Sequence, residues 1–170
     1  MAKGRSVTVT KDVTSPDQVA CPTRPQNRDT DFPIVGIGCS AGGLEALDAL
    51  LAHVPADSGM AFIIVQHLDP HHDSNLPQLL QRGTPMPVVE AGEQMPVQPN
   101  CVYVIPPNKD LSLLNGILHL LDPAEKRGLR LPIDFFLRSL ADDRHNRAIG
   151  VVLSGMGSDG MLGLGAIKEK

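Results

Sequence analysis

The sequence predicts an α/β fold: a doubly wound, mostly parallel sheet flanked by helices in a Rossmann-like three-layer arrangement, with an inserted antiparallel β-hairpin. Short apolar runs alternate along the chain with segments whose leucines recur at helical spacing, and this alternation is typical of strand–helix units around a parallel sheet. Glycine-rich turns separate two of these runs from the helices that follow. An Asn-Gly pair at 115–116 divides a further apolar stretch, and this dipeptide is the strongest short signal for a hairpin.

Two strand–helix units are predicted in the first half of the domain. Pro33 begins an apolar run that ends in glycines and Cys39, which indicates a buried strand, and leucines at helical spacing follow it. A second apolar run precedes a second group of leucines, with Pro77 in the first helical turn, where proline is tolerated. The predicted elements are a strand over 33–39, a helix over 43–54, a strand over 60–65 and a helix containing Leu76, Leu79 and Leu80.

The second half is predicted to contain the hairpin and a further helix and strand. The side chains of its helix that are expected in the core are Phe135, Phe136, Leu137 and Leu140. In chain order, the predicted elements are a strand over 101–105, the hairpin over 111–121, a charged loop over 122–131, a helix over 133–141, a strand over 148–153 and a glycine-rich turn over 155–160 that leads into a last helix.

One domain is predicted, over residues 32–170. Residues 1–31 are polar and contain Pro16, Pro22 and Pro25 without hydrophobic periodicity, so they are predicted to be a disordered leader. The last helix has barely begun at Lys170, and a parallel sheet needs its closing elements. The domain is therefore expected to be incomplete at its C-terminus.

Composition excludes several classes of protein. Hydrophobic residues make up 42% and charged residues 20% of the chain, as in globular proteins. The formal charge of −4, with one Tyr, four Phe and no Trp, argues against a nucleic-acid partner. The N-terminus lacks an apolar signal-peptide core and no apolar run could span a bilayer, so a cytoplasmic protein without membrane insertion is expected. Three scattered cysteines form no disulfide framework, and reduced thiols are expected.

Ser40 is the centre of a Gly-x-Ser-x-Gly motif, residues 38–42, between the first predicted strand and helix. A sharp turn of this kind exposes a serine as a nucleophile, and the helix N-terminal amides near Ala41 and Gly42 suit a developing oxyanion. The same pattern is compatible with Ser40 as a helix N-cap. It also matches the loose Gly-x-Gly-x-x-Gly/Ala dinucleotide fingerprint, although the second predicted strand lacks the ribose-binding acid at its tip.

His67 and Asp159 also follow predicted strands. His67 comes directly after the second strand and Asp159 lies in the turn after the last one. Because sites in open parallel sheets form at the carboxyl ends of strands, His67 is a candidate general base for Ser40 and Asp159 a candidate to orient it. Taken singly, His67 could be a surface histidine and Asp159 a helix cap. Three such residues at one edge favour a triad in the order Ser, His, Asp, which differs from that of ordinary α/β-hydrolases.

Two rival chemistries use neighbouring residues. The segment 67–73 holds three histidines and two aspartates, which suggests a metal site, but Pro70 prevents the helical His pairing of metalloproteases. Cys39 precedes Ser40 and could itself be a nucleophile. Since it closes a buried strand, it is expected to point into the core as a packing residue. No metal and no cofactor are expected.

Three ordered motifs together resemble the CheB-type chemotaxis methylesterase domain, from about Phe32 to the C-terminus. They are Pro33-Ile-Val-Gly-Ile-Gly-Cys-Ser-Ala-Gly-Gly-Leu-Glu-Ala, Val65-Gln-His-Leu-Asp-Pro and Leu153-Ser-Gly-Met-Gly-Ser-Asp-Gly. The segments Tyr103-Val-Ile-Pro-Pro and Arg130-Leu-Pro-Ile-Asp-Phe-Phe also look like this family.

The resemblance implies hydrolysis of glutamyl methyl esters, and deamidation of glutamines, on the cytoplasmic helices of methyl-accepting chemoreceptors. It implies Ser40, His67 and Asp159 as the catalytic triad, with Gly155, Met156 and Gly157 shaping the pocket and oxyanion site. Ala41 replaces the threonine that commonly follows the nucleophile. The 31 leading residues are too few for the receiver domain that precedes many members, and the sequence looks closer to methylesterase domains that begin hybrid proteins with a following methyltransferase domain.

Overall fold

A computed structural model describes residues 21, 31–66, 75–123, 130–153 and 158–170. These residues form two sheets and four helices. In chain order, the elements are β1 (Ile34–Cys39), α1 (Leu44–Ala52), β2 (Ala61–Gln66), α2 (Leu76–Leu80), β3 (Val88–Glu90), β4 (Met95–Pro96), β5 (Val102–Val104), β6 (Asp110–Leu114), β7 (Ile117–Leu121), α3 (Pro132–Arg144), β8 (Ala148–Leu153) and α4 (Met161–Lys168).

The larger sheet has five strands, all parallel, in the order β3-β5-β2-β1-β8. Its central strands, β1 and β2, are buried along their whole length, because strands covered on both faces are apolar throughout. The chain moves outward from β1 in both directions, which makes the sheet doubly wound. The predicted fold class is confirmed.

The smaller sheet is antiparallel, in the order β4-β7-β6. It contains the predicted hairpin, whose turn residues Asn115 and Gly116 have φ of 52° and 74°, as a tight two-residue turn requires. The sequence analysis missed β3 and β4. Both are short and lie in a proline-rich segment, where propensity and periodicity give little signal.

Helices cover both faces of the parallel sheet. On one face, Leu47 and Leu51 of α1 and Leu80 of α2 pack with Val35 and Ile37 of β1. On the other face, Phe136, Leu137 and Leu140 of α3 are fully buried against the opposite side of the same strands. The prediction for Phe135 is wrong, because that side chain is 45% exposed. With the helical period of 3.6 residues, positions 133, 136, 137 and 140 lie on the buried face of α3, and position 135 lies on the exposed face.

Glycines on β1 allow α3 to approach the sheet. A Cβ at Gly36 would lie 2.7 Å from the Leu137 side chain, and one at Gly38 would lie 2.3 Å from that of Ile133. Both distances are shorter than atoms tolerate, so a larger residue would force the helix away. Since Gly36 and Gly38 lie inside a strand and face a packed helix, they do not form the phosphate-binding turn that the dinucleotide fingerprint requires.

Two of the cysteines lie close together. The structure brings Cys21 beside Cys101, whereas no pairing was expected from the sequence. The two residues are 80 positions apart, with Cα atoms separated by 6.2 Å, a proximity that sequence spacing could not reveal.

The rest of the predicted leader, apart from Asp31, lies outside the described residues. Among the residues that are described, no helix has the length and apolar character needed to cross a membrane.

Candidate active site

Three neighbouring strands of the parallel sheet end at the same level. Cys39, the last residue of β1, pairs with Gln66 at the end of β2 and with Leu153 at the end of β8. Ser40 follows Cys39 directly, and His67 follows Gln66 directly in the sequence. The carboxyl ends of parallel strands are where α/β domains place their sites. His67 itself, with Gly155, Met156 and Gly157 after β8, lies outside the described residues.

Ser40 occupies a sharp turn between β1 and α1. Its backbone is extended, with φ −94° and ψ 175°, and a 3₁₀ turn over Ala41–Gly43 follows at once and leads into α1. The N–H of Gly43 donates to the carbonyl oxygen of Ser40 at 2.9 Å. Within the described residues, the Ser40 side chain makes no capping hydrogen bond to this turn. The dihedral angles are ordinary for a residue at the N-cap position, and Ser40 stands at a strand-to-helix elbow, the position from which such turns present a nucleophile.

The backbone after Ser40 belongs to the first turn of a helical segment. The first amides of such a segment have no intrahelical partner and carry the positive end of its dipole. A Cβ at Gly42 would meet no described atom within 4 Å, so packing against the described residues does not require a glycine there. The turn offers backbone N–H groups at the carboxyl end of β1, an arrangement suited to binding an oxyanion.

Asp159 lies in the turn between β8 and α4, and its carboxylate binds the start of a different helix. Oδ2 accepts the N–H of Ile133 at 3.1 Å and Oδ1 accepts the N–H of Asp134 at 2.8 Å. Both donors belong to the first turn of α3. The N-cap of α4 is Gly160, with φ 99°. Asp159 is therefore a cap for α3, whereas the sequence analysis had considered it as a cap for the helix that follows it.

Two amide donors and the α3 dipole stabilise a negative charge on Asp159. A carboxylate accepts about four hydrogen bonds, so two backbone amides leave capacity for an imidazole N–H. A charged, held carboxylate is what a histidine base needs to keep its orientation and to stabilise the imidazolium that forms.

Cys39 is part of the core, as predicted. Its thiol is free and buried, with 1% of the residue exposed, and burial raises its pKa to about 11. Because the thiolate is the nucleophilic form, this cysteine is unsuited to attack at neutral pH.

The hypothetical metal cluster over 67–73 lies outside the described residues. In the described ranges, no group of three or more His, Cys, Asp or Glu side chains is placed to hold a metal ion.

Sequence analysis missed the partners of Asp159, the amides of Ile133 and Asp134. Pro132 in the first helical turn, followed by an acidic residue, does mark the start of a helix. Nothing in the sequence relates that helix start to a turn 25 residues further along, since the link is made by packing of α3 against α4.

The fold and the site define an α/β domain with an elbow serine at the carboxyl edge of a parallel sheet. The sequence matches the family model described as CheB methylesterase over residues 35–170. The crystal structure of the Thermotoga maritima CheB methylesterase catalytic domain superposes with a TM-score of 0.72 at 31% identity, covering 81% of this chain and 75% of that one. The chain belongs to the CheB methylesterase family.

Two curated relatives carry names that state an activity. Protein-glutamate methylesterase/protein-glutamine glutaminase 2 of Burkholderia pseudomallei is 40% identical over 139 residues, which are 81% of this chain and 41% of the relative. Protein-glutamate methylesterase/protein-glutamine glutaminase of Desulfotalea psychrophila is 34% identical over 144 residues, 81% of this chain and 39% of the relative. The chain therefore spans about two fifths of the length of these relatives.

Proposed function

We propose that this chain is a protein-glutamate methylesterase that hydrolyses glutamyl methyl esters and deamidates glutamines through Ser40, His67 and Asp159. The observation that carries the proposal is the elbow at Ser40, level with the ends of β2 and β8. Family membership and the names of the relatives support the same chemistry.

In the proposed mechanism, His67 takes the proton of Ser40 as its Oγ attacks the ester carbonyl carbon. The amides of Ala41 and Gly42 bind the resulting oxyanion, together with the turn Gly155, Met156 and Gly157. Collapse of this intermediate breaks the C–O bond, and His67 returns its proton to the departing methanol.

Water completes the cycle. His67 removes a proton from it, the hydroxide attacks the acyl-serine, and release of the free glutamate side chain restores Ser40. With a glutamine substrate the same steps release ammonia. Asp159, held by α3, stabilises the imidazolium in both halves. The steps use only side chains, backbone amides and water.

The substrate class in this proposal is the cytoplasmic helical region of methyl-accepting chemoreceptors, which places the chain in the cytoplasm. In this proposal, a methylated glutamate on an exposed receptor helix presents its ester carbonyl to Ser40 in the turn that follows β1.

The test is methanol release from methylated receptor fragment by the parent chain, Ser40→Ala and Ser58→Ala. Ser58 is the matched control, since it precedes β2, at the opposite end of that strand from the site. Ser40→Ala is expected to lose at least about 10³-fold in rate, as removal of a serine nucleophile does. Ser58→Ala is expected to match the parent, and a fluorophosphonate should label the parent and Ser58→Ala only.

Methanol release by Ser40→Ala at the parent rate would contradict the assignment of the nucleophile. A folded parent chain that binds receptor but neither releases methanol nor reacts with fluorophosphonate would identify a binding module instead.

A further inference from the structure

Asp134 is a buried acidic residue that the proposed mechanism does not use. It lies in the first turn of α3 and is 4% exposed. Its Oδ1 accepts the N–H of Gly163, in the first turn of α4, at 2.7 Å. Its Oδ2 has no hydrogen-bond partner among the described residues. A buried carboxylate oxygen without a donor is costly, so an acidic residue at this position calls for an explanation.

The bonds of Asp134 and Asp159 are reciprocal. Asp159, just before α4, accepts two amides from the first turn of α3, and Asp134, in the first turn of α3, accepts an amide from the first turn of α4. Asp159 therefore binds amides at the start of α3, and Asp134 binds an amide at the start of α4. These amides have no intrahelical partner. The two helix starts are thus joined by three hydrogen bonds.

Close packing of α3 against α4 makes the hydrogen bond from the Gly163 amide to Asp134 short. A Cβ at Gly163 would lie 2.5 Å from the Cβ of Leu137 and 3.3 Å from the Cα of Asp134. Only a glycine lets the two helices approach to this distance, and the approach brings the Gly163 amide within reach of the short Asp134 side chain.

We infer that Asp134 is a positioning residue for Asp159, an inference that rests on the proposed function. By holding the first turn of α4, Asp134 fixes the short turn over 158–160 that carries Asp159, and thereby fixes the carboxylate against His67. Catalytic geometry of this kind tolerates little displacement, since misplacement of about 1 Å can cost about 100-fold in rate.

The first experiment compares Asp134→Ala, Asp134→Asn and the control Asp142→Ala in methanol release. Asp142 lies on the same helix, and its carboxylate is exposed. Asp134→Ala is expected to lower kcat by about 10- to 100-fold with KM unchanged, and to slow fluorophosphonate labelling of Ser40 in parallel. Asp134→Asn keeps an oxygen for the Gly163 amide and is expected to restore kcat, while Asp142→Ala should behave as the parent.

A folded Asp134→Ala with parent kcat would overturn the inference, as would a loss of kcat that Asp134→Asn does not restore. A parent chain with no Ser40-dependent methanol release would instead be a failure of the proposed function. The comparison of the parent with Ser40→Ala detects that failure separately.

Hydrogen exchange tests the link even if Asp134→Ala does not fold. In the parent, the Gly163 amide is expected to exchange slowly for a first-turn amide. The variant Asp159→Asn leaves Asp134 intact. If the two caps act as one unit, the Gly163 amide is expected to exchange faster in this variant than in the parent. The amide of Leu51 in α1 is the reference, and its exchange should not change. Unchanged exchange at Gly163 in Asp159→Asn would mean that the caps are independent, and the inference would fail.

Discussion

Gly38 on β1 and Ile133 on α3 are in such close contact that a Cβ at position 38 would lie 2.3 Å from Cγ2 of Ile133. The backbone N–H of the same Ile133 donates to Asp159. The missing side chain at 38 therefore sets the position of the helix turn that holds the candidate catalytic aspartate. Packing at a glycine of β1 thus bears on the geometry of a side chain held by α3.

Gly38→Ala is expected to destabilise the protein by about 1–3 kcal/mol, the usual cost of forcing an extra carbon into a packed core. The measurement is the free energy of unfolding by denaturant. Gly42→Ala is the matched control, because a Cβ there meets no described atom within 4 Å. Equal losses of stability in the two variants would contradict the packing argument.

The hairpin turn gives a second prediction. Gly116 has φ 74°, a region that costs an L-residue about 1–2 kcal/mol, so Gly116→Ala should lower the free energy of unfolding by about that amount. Asn115→Gly should change it little, since glycine adopts the φ of 52° found there without strain. Thermal or chemical unfolding of the two variants measures the difference, and a larger loss in Asn115→Gly would show that the turn is built otherwise.

Alkaline pH should destabilise the fold through Cys39. Burial raises its pKa from 9.0 to about 11, so between these pH values the unfolded chain loses the thiol proton and the folded chain keeps it. The unfolded state then binds fewer protons, and stability falls as pH rises, by about 2–3 kcal/mol for a shift of two pKa units. Burial also raises the pKa of Tyr103 to about 12, which extends the loss above pH 10.

The measurement for Cys39 is the free energy of unfolding at pH 8, 9, 10 and 11 in the parent and in Cys39→Ala. The variant should lose less stability than the parent between pH 9 and 11, each compared with its own value at pH 8. Identical pH profiles would show that ionisation of this thiol does not contribute.

Elements defined by long apolar runs could be predicted from the sequence. The strand over 148–153 has the predicted bounds, and β1, β2, α1 and the hairpin differ from expectation by few residues. In β1 and β2, burial on both faces leaves a continuous apolar signal. Short edge elements could not be predicted. The strand β3 has three residues and β4 has two, and their stability depends on neighbours that are distant in sequence.

The candidate site divides in a similar way. The elbow at Ser40 could be predicted, since Gly-x-Ser-x-Gly after an apolar run states the local geometry. The surroundings of Asp159 could not, because its donors are the amides of Ile133 and Asp134. Backbone N–H groups are chemically alike at every residue except proline, so only the packed structure tells which amides a side chain meets. The contribution of His67 stays a prediction.

Helix ends are among the first parts of a fold to open locally, because their intrahelical hydrogen bonds are few. Asp159 is fastened to such an end, the first turn of α3. Each transient fraying of that turn would release the carboxylate while the core beneath it stays intact. Heating should therefore diminish the proposed methylesterase turnover over a range in which circular dichroism still reports a native protein.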